Sequence, residues 1–327
     1  MKTKIFSLFI LTLHLHASFY LGAGGFDIEK QDTKTYSFKY NKRAKHTYIT
    51  ELLCKQSPNI NSVTIWITRN WEEEWFSADE VQHEIIDKGY TPLFIFYFFG
   101  DDISKEYLSE HKKEYFQQLR HFKNYLLKLH GQKIVVLNPE YNMAGCEKLE
   151  TMNDIFLQSF QILKQDPQVV VGPCVGDFGN YAKTDEQKEW KLFHPSLYRA
   201  AKEADFIAFQ EMRALTRNKK DEILTTAQRA YHLSKYLYKT YHKPTLLAYL
   251  AISSYGENGE KIQAEAFKKF LYYLPKMKKE SHLILFSIFH YFDYPGHKGY
   301  FNAAEEHFGV LRKDGSKKAS FYYLKKF

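Results

Sequence analysis

Three carboxylates stand in polar surroundings directly after apolar runs: Glu140 in LNPEYN, Asp177 in VGDFG and Glu211 in AFQEMR. Two carboxyl groups flanking an acetal carbon can cleave a glycosidic bond. One protonates the leaving oxygen, and the other attacks the anomeric carbon or activates a water. Burial and crowding push the two pKa values apart, so that one group stays protonated near neutral pH. Glu140 is read as the proton donor, Glu211 as its first-choice partner and Asp177 as the next. The supporting residues are of the types that hold a sugar. Arg69, Arg213, Asn138, Asn142 and Gln210 can bind hydroxyls, Trp71 and Tyr291 can stack on rings, and Asp101, Tyr249, His290 and Asp293 add further contacts. Taken singly, each is equally well read as a satisfied loop contact; the chemistry depends on whether they meet.

What must bring them together is a set of strands ending at one rim. In KIVVLNPEYN the four apolar residues Ile134 to Leu137 fit a strand covered on both faces, and Pro139 cannot continue a hydrogen-bond ladder. A strand over Lys133 to Leu137 therefore delivers Glu140 to its exit. The same pattern recurs at Phe19 to Phe26, Val63 to Thr68, Pro92 to Phe99, Gln168 to Gly172, Asp205 to Phe209, Pro244 to Leu250 and His282 to Phe289. Helical periodicity separates them: Ser77 to Lys88, Ser104 to Leu129, Met152 to Lys164, Pro195 to Ala204, Lys220 to Tyr241 and Ile262 to Leu274, with Ala319 to Lys326 closing the chain. Alternation of this kind implies a parallel sheet, and its number of units favours a (β/α)8 TIM barrel over a doubly wound sheet, which would want a glycine-rich phosphate turn. In a barrel the residues after each strand face the active site, and that is where the candidates fall.

Composition narrows the function classes. The 327 residues are 44% hydrophobic and 26% charged, an ordinary globular balance, while 17% are aromatic. The formal charge of +8 comes from lysines scattered along helices, without a nucleic-acid motif, so no nucleic-acid partner is expected; the expected poly- or oligosaccharide partner follows from the carboxylates and aromatic residues above. His194, His290 and His297 lack metal-ligand spacing and no GxSxG elbow occurs, so no metal and no cofactor are expected. Cys146 and Cys174 fall in neighbouring expected loops, where an oxidising compartment could join them. MKTKIFSLFILTLHLHA at residues 1–17 reads as a secretory leader too short to span a bilayer, which makes residues 18–327 one exported barrel, secreted or periplasmic, with no later membrane segment.

Three stretches also resemble clan A glycoside hydrolases, the third with a departure at its key position. FHYFDYPGHKGYFNAAEEHFGVLRKDGSKKASFYYLKK, from Phe289, is similar to the last barrel unit of that clan, which ends in a phrase like FGLLDADGKPKPAY. KIVVLNPEYN resembles the clan's fourth strand, which ends in asparagine and the acid/base glutamate, with Pro139 here inserted between Asn138 and Glu140. KPTLLAYLAISS, from Lys243, resembles the seventh strand, typically like KPVLITEFGIS, and places Tyr249 where the nucleophilic glutamate belongs. The resemblance implies a glycosidase whose second carboxylate comes from elsewhere, or a barrel that binds a glycan without cleaving it.

Overall fold

In a computed structural model the protein is described over residues 19–26, 28–30, 38–40, 46, 48–178 and 189–327. The leader expected at residues 1–17 lies outside them. Eight parallel strands close into a barrel: β1 Tyr20–Ala23, β2 Ser62–Thr68, β3 Thr91–Tyr97, β4 Lys133–Leu137, β5 Val169–Gly176, β6 Ile207–Arg213, β7 Thr245–Ile252 and β8 Leu283–Ile288. Each pairs with its sequence neighbours, and β8 returns to β1 through Tyr20 opposite Leu285. This is the (β/α)8 architecture. The surrounding helices are α1 Ile49–Gln56, α2 Ala78–Val81, which runs into a π turn at Gln82–Ile86, α3 Lys105–Leu126, α4 Thr151–Leu163, α5 His194–Leu197, α6 Ala200–Glu203, α7 Lys220–Tyr241, α8 Gly259–Glu280 and α9 Ala319–Leu324. A short antiparallel ribbon, Ile28–Lys30 with Phe38–Tyr40, precedes α1. Among the described residues no helix is long and apolar enough to cross a membrane.

Side chains alternate across each strand, which sorts the apolar residues into two layers. Leu93, Ile95, Ile134, Val136, Ala208 and Leu246 fill the barrel interior. Phe94, Phe96, Val135, Leu137, Ile207 and Phe209 face outward and meet the helices. α3 shows why the helices seat there: Ser104 Oγ accepts from Tyr107 N at 3.1 Å to start it, and Leu108, Tyr115, Leu119, Phe122 and Leu126 form one buried stripe at helical spacing.

Four departures from the expected elements bear on the site. β6 runs on to Arg213 instead of stopping at Phe209, so Gln210, Glu211 and Arg213 are strand residues and their facing is set by alternation. β5 continues past Gly172 to Gly176. Gly172 serves close packing there, since a Cβ would lie 2.2 Å from the Phe206 carbonyl. Cys174 is thereby inside β5, and all three cysteines are free, so Cys146 and Cys174 are not joined. In β7 the alternation slips. Leu246 points in and Leu247 out, but Ala248 and Tyr249 both join the interior layer, where the register steps from Phe209 opposite Leu247 to Gln210 opposite Tyr249. This bulge turns Tyr249 into the barrel.

Candidate active site at the barrel mouth

β4 ends at Leu137, and the chain leaves it through two left-handed residues, Asn138 at φ 47° and Glu140 at φ 63°, on either side of Pro139. The turn carries Glu140 over the interior, where Tyr249 Oη donates to its Oε1 at 2.7 Å. Burial pushes the Glu140 carboxyl up to about 7; the Tyr249 hydrogen bond opposes this, and the charges of Asp101 and Glu305 add to it. The group therefore still holds its proton close to neutral pH. Asn138 turns the other way and donates from Nδ2 to Tyr115 Oη on α3 at 3.1 Å, fixing the loop from outside.

Aromatic side chains from other strands cluster about Tyr249, the partner of this carboxyl. The Trp66 ring of β2 lies 5.6 Å from Tyr97 of β3, 5.2 Å from Tyr249 and 5.6 Å from Phe289, which follows β8. Tyr97 Oη donates to Asp101 Oδ1 at 2.5 Å, tying the exposed loop after β3 to the same ring. Burial, with the Glu140 charge next, raises the pKa of both Tyr97 and Tyr249 and keeps them as phenols. Gln210, opposite Tyr249 in the register, leaves its buried Oε1 without a hydrogen-bond partner among the described residues. His290 stacks on Phe289 at 4.0 Å and leaves buried Nδ1 likewise unpartnered. Burial, then the neighbouring His297, holds the His290 pKa well below its usual value, so the imidazole is neutral.

A segment after β8 covers one side of the mouth. Phe308 packs 5.8 Å from Phe289 and 5.9 Å from Phe301. Thr216 Oγ1 donates to the Phe301 carbonyl at 2.9 Å and Ser253 Oγ to the Ala304 carbonyl at 2.8 Å, fastening the segment to the exits of β6 and β7. Glu305 within it is buried; its Oε1 accepts from Phe301 N at 2.9 Å, and Oε2 lies 3.7 Å from His297 Nδ1. Burial raises its pKa, the Phe301 hydrogen bond opposes that, and the charge of Asp101 adds to it.

Of the candidates read from the sequence, the mouth thus gathers Glu140, Tyr249, Asp101, Gln210 and His290. It does not gather Glu211 and Asp177 with Glu140. Glu211 shares the helix-facing side of β6 with Phe209 and Arg213, and Arg213 Nη2 lies 2.9 Å from its Oε2. Asp177 is held by Arg229 of α7 through Nε at 2.5 Å and Nη2 at 2.6 Å, and its carbonyl accepts from Arg213 Nη1 at 3.1 Å. These four form an internal ion network between the barrel wall and α7. Arg69 is drawn to α3, with Nε and Nη2 on Glu114 at 2.9 and 2.6 Å. Trp71 is buried against Phe122 and Tyr125 of the same helix at 6.1 and 5.1 Å. Tyr291 is buried on Ser57 Oγ at 3.0 Å. Asp293 receives Lys318 Nζ at 2.5 Å and Gly309 N at 3.1 Å, a lock on the C-terminal turn. Asn142 binds both backbone groups of Gly176, accepting from N at 2.6 Å and donating to O at 3.0 Å, and so joins the β4 and β5 exits.

Trp66, Tyr97, Phe289, His297 and Glu305 were not among the expected site residues. For Trp66 and Tyr97 alternation was a usable signal, since they share the inward side of their strands with Thr64 and Ile95. Glu305 lies in a turn without periodicity and had none. Among the described residues no group of three His, Cys, Asp or Glu could hold a metal ion.

No family model and no curated protein matches the sequence. Solved structures do match the fold. Bifidobacterium dentium β-glucuronidase, in complex with coumarin-3-O-glucuronide, superposes with a TM-score of 0.62 at 12% identity over 94% of this chain and 46% of that one. A psychrophilic family 10 endo-β-1,4-xylanase gives 0.55 at 10% identity, covering 95% and 97% of the two chains. The family 17 β-1,3-glucanosyltransferase of Rhizomucor miehei gives 0.55 at 14% identity over 91% and 95%. The chain spans about half the length of the β-glucuronidases from Bifidobacterium dentium and Dictyoglomus thermophilum, 46% and 50%. At these identities the likeness is one of fold: a (β/α)8 barrel of the kind that glycoside hydrolases use.

Proposed function

We propose that this protein is an exported glycoside hydrolase whose proton donor is Glu140, acting on a poly- or oligosaccharide. The observation that carries the reading is a half-buried carboxyl with its pKa raised to about 7, held at 2.7 Å by Tyr249, whose ring packs in a cluster with Trp66, Tyr97 and Phe289. A carboxyl of that kind can give its proton to a glycosidic oxygen near neutral pH, and the rings offer apolar faces to a sugar. The fold neighbours support the substrate class, since their own names describe enzymes of glucuronides, xylan and β-1,3-glucan. The test is incubation of the purified protein with a glycan panel and detection of released product. Glu140→Gln should lower turnover by about 10²- to 10⁴-fold, the usual worth of a positioned acid. Full activity in that variant would end the assignment.

One observation favours a second reading, a barrel that binds a glycan without cleaving it. The inward position of β7 carries a phenol, and its hydroxyl is already spent on Glu140. That reading expects saturable glycan binding by calorimetry, loss of binding in Trp66→Ala, and no product from the wild type. Export rests on residues 1–17 and is tested by N-terminal sequencing of protein recovered from the periplasm or medium.

A further inference from the structure

We infer that Glu305 is the carboxylate that works with Glu140, supplied by the loop after β8 and not by a strand end; this rests on the hydrolase reading of Glu140. Three facts about its placement support it. The segment that bears Glu305 is seated on the interior layer, with Phe301 and Ala304 packed in the same cluster as Tyr249 and Phe289. That segment is fastened to two other strand exits by Thr216 and Ser253, so the carboxyl is held on a fixed support. The charge of Glu305 also reaches Glu140: Glu305 is buried, Glu140 is half-buried, and Glu305 is among the groups that raise the proton affinity of Glu140.

Neighbouring polar atoms point to a ligand in the same space. Gln210 is 2% exposed and His290 6%, yet Gln210 Oε1 and His290 Nδ1 have no hydrogen-bond partner among the described residues. Gln210 stands opposite Tyr249, and His290 stacks on Phe289, so both border the aromatic cluster that holds Tyr249 against Glu140. Buried polar atoms of this kind are normally satisfied, and hydroxyl groups of a bound sugar would satisfy them. Asp101 is the other carboxylate near Glu140, but it is exposed and its Oδ1 is taken by Tyr97.

The step assigned to Glu305 is removal of a proton from water. Its Oε1 is anchored by Phe301 N–H and its Oε2 lies beside His297, which suits holding and passing a proton better than forming a bond to carbon. As water oxygen bonds to the anomeric carbon, its proton moves to Glu305. The bond from that carbon to the leaving oxygen breaks with its electron pair, and the leaving oxygen takes the proton of Glu140. Proton exchange with solvent then restores both groups, and the anomeric configuration is inverted.

Glu305→Gln keeps an acceptor for Phe301 N and removes the charge, so it tests the chemistry without removing the anchor. The first measurement needs no substrate: the pH titration of the Glu140 carboxyl carbon by NMR in wild type, Glu305→Gln and, as a control for the other carboxylate, Asp101→Asn. The titratable groups that interact with Glu140 are Tyr249, Tyr97, Cys174, Asp101 and Glu305, and those that interact with Glu305 are Asp101 and His297, whose Nδ1 lies 3.7 Å from Oε2. Glu305→Gln should lower the Glu140 midpoint by about half a pH unit or more. An unmoved midpoint overturns the pairing whatever the activity. The second measurement uses a glycan that the wild type cleaves. Glu305→Gln should lose about 10²- to 10⁴-fold in kcat with KM little changed, and Glu305→Gly with azide should release a glycosyl azide of inverted configuration. Full activity of Glu305→Gln beside an inactive Glu140→Gln, or a product of retained configuration, removes Glu305 from the role and leaves the hydrolase reading standing. A wild type that releases nothing while the midpoint still moves sinks the hydrolase reading and the catalytic role of Glu305 with it.

Discussion

Two groups of carboxylates sit in one barrel, half-buried in one case and fully buried in the other, and they are built on opposite sides of its wall. Glu140 faces the interior, where its named neighbours are a phenol and further carboxylates, and burial leaves it protonated close to neutrality. Asp177 and Glu211 face the helices, where Arg229 grips Asp177 with two bonds and Arg213 lies 2.9 Å from Glu211. Burial dominates for Glu211 as well and drives its pKa well up, with Asp177 adding to the shift and the two arginines opposing it. Burial alone therefore does not mark a reacting group. What separates the two sets is access from the mouth and the nature of the partner: a hydroxyl that can be exchanged for a ligand, or a guanidinium that closes the site on itself.

The largest effects should come from the interior set. Glu140→Gln, besides its loss of turnover, should stabilise the protein at alkaline pH. A carboxyl whose folded pKa is raised contributes stability below its unfolded value of about 4.3, and that contribution is lost as pH rises through the folded value near 7. The neutral amide escapes this loss, so denaturant unfolding well above neutrality should show the variant more stable by about 3 kcal/mol, with no difference in acid. A variant no more stable than wild type at high pH would mean that Glu140 is not held protonated.

The outer set should behave in the opposite way. Asp177→Asn leaves buried guanidinium charge without its carboxylate and should cost about 3–5 kcal/mol by urea unfolding, while turnover per folded molecule is retained. A specific loss of turnover at full stability would place Asp177 at the reaction after all. Smaller, and confined to the mouth, is Tyr249→Phe. It removes the hydrogen bond that lowers the Glu140 pKa, so the alkaline limb of kcat/KM should move to higher pH; an unmoved limb would uncouple the two residues. The smallest effect belongs to Arg69→Met. Its bonds to Glu114 lie at a surface one-third open to solvent, and the loss should stay within about 1 kcal/mol with KM unchanged.

The framework of the barrel was legible because apolar runs and helical stripes recur at the spacing of a βα unit, and β4 and α7 fall on the expected residues. Facing was harder to read. Gln210, Glu211 and Arg213 looked like a rim loop because polar residues seldom continue a strand, whereas β6 accommodates them by pairing Glu211 with Arg213 on its outer face. Trp71 and Tyr291 looked like sugar platforms but turn back onto α3 and Ser57, where an aromatic ring gains more from burial than from exposure. Trp66 and Tyr97 passed for ordinary core inside strong apolar runs. Glu305 depends on the way a long turn folds back over Phe289, a tertiary fact with no local period behind it.

The slip in β7 has a genetic consequence. Because the backbone already points position 249 into the interior, changing what stands there is a matter of the codon alone. Tyrosine codons differ from aspartate codons only in their first base, while glutamate lies a further base away. Random copying errors in the coding sequence would therefore offer an inward β7 carboxylate beside Glu140 in the first generation of variants, with no need to rebuild the strand.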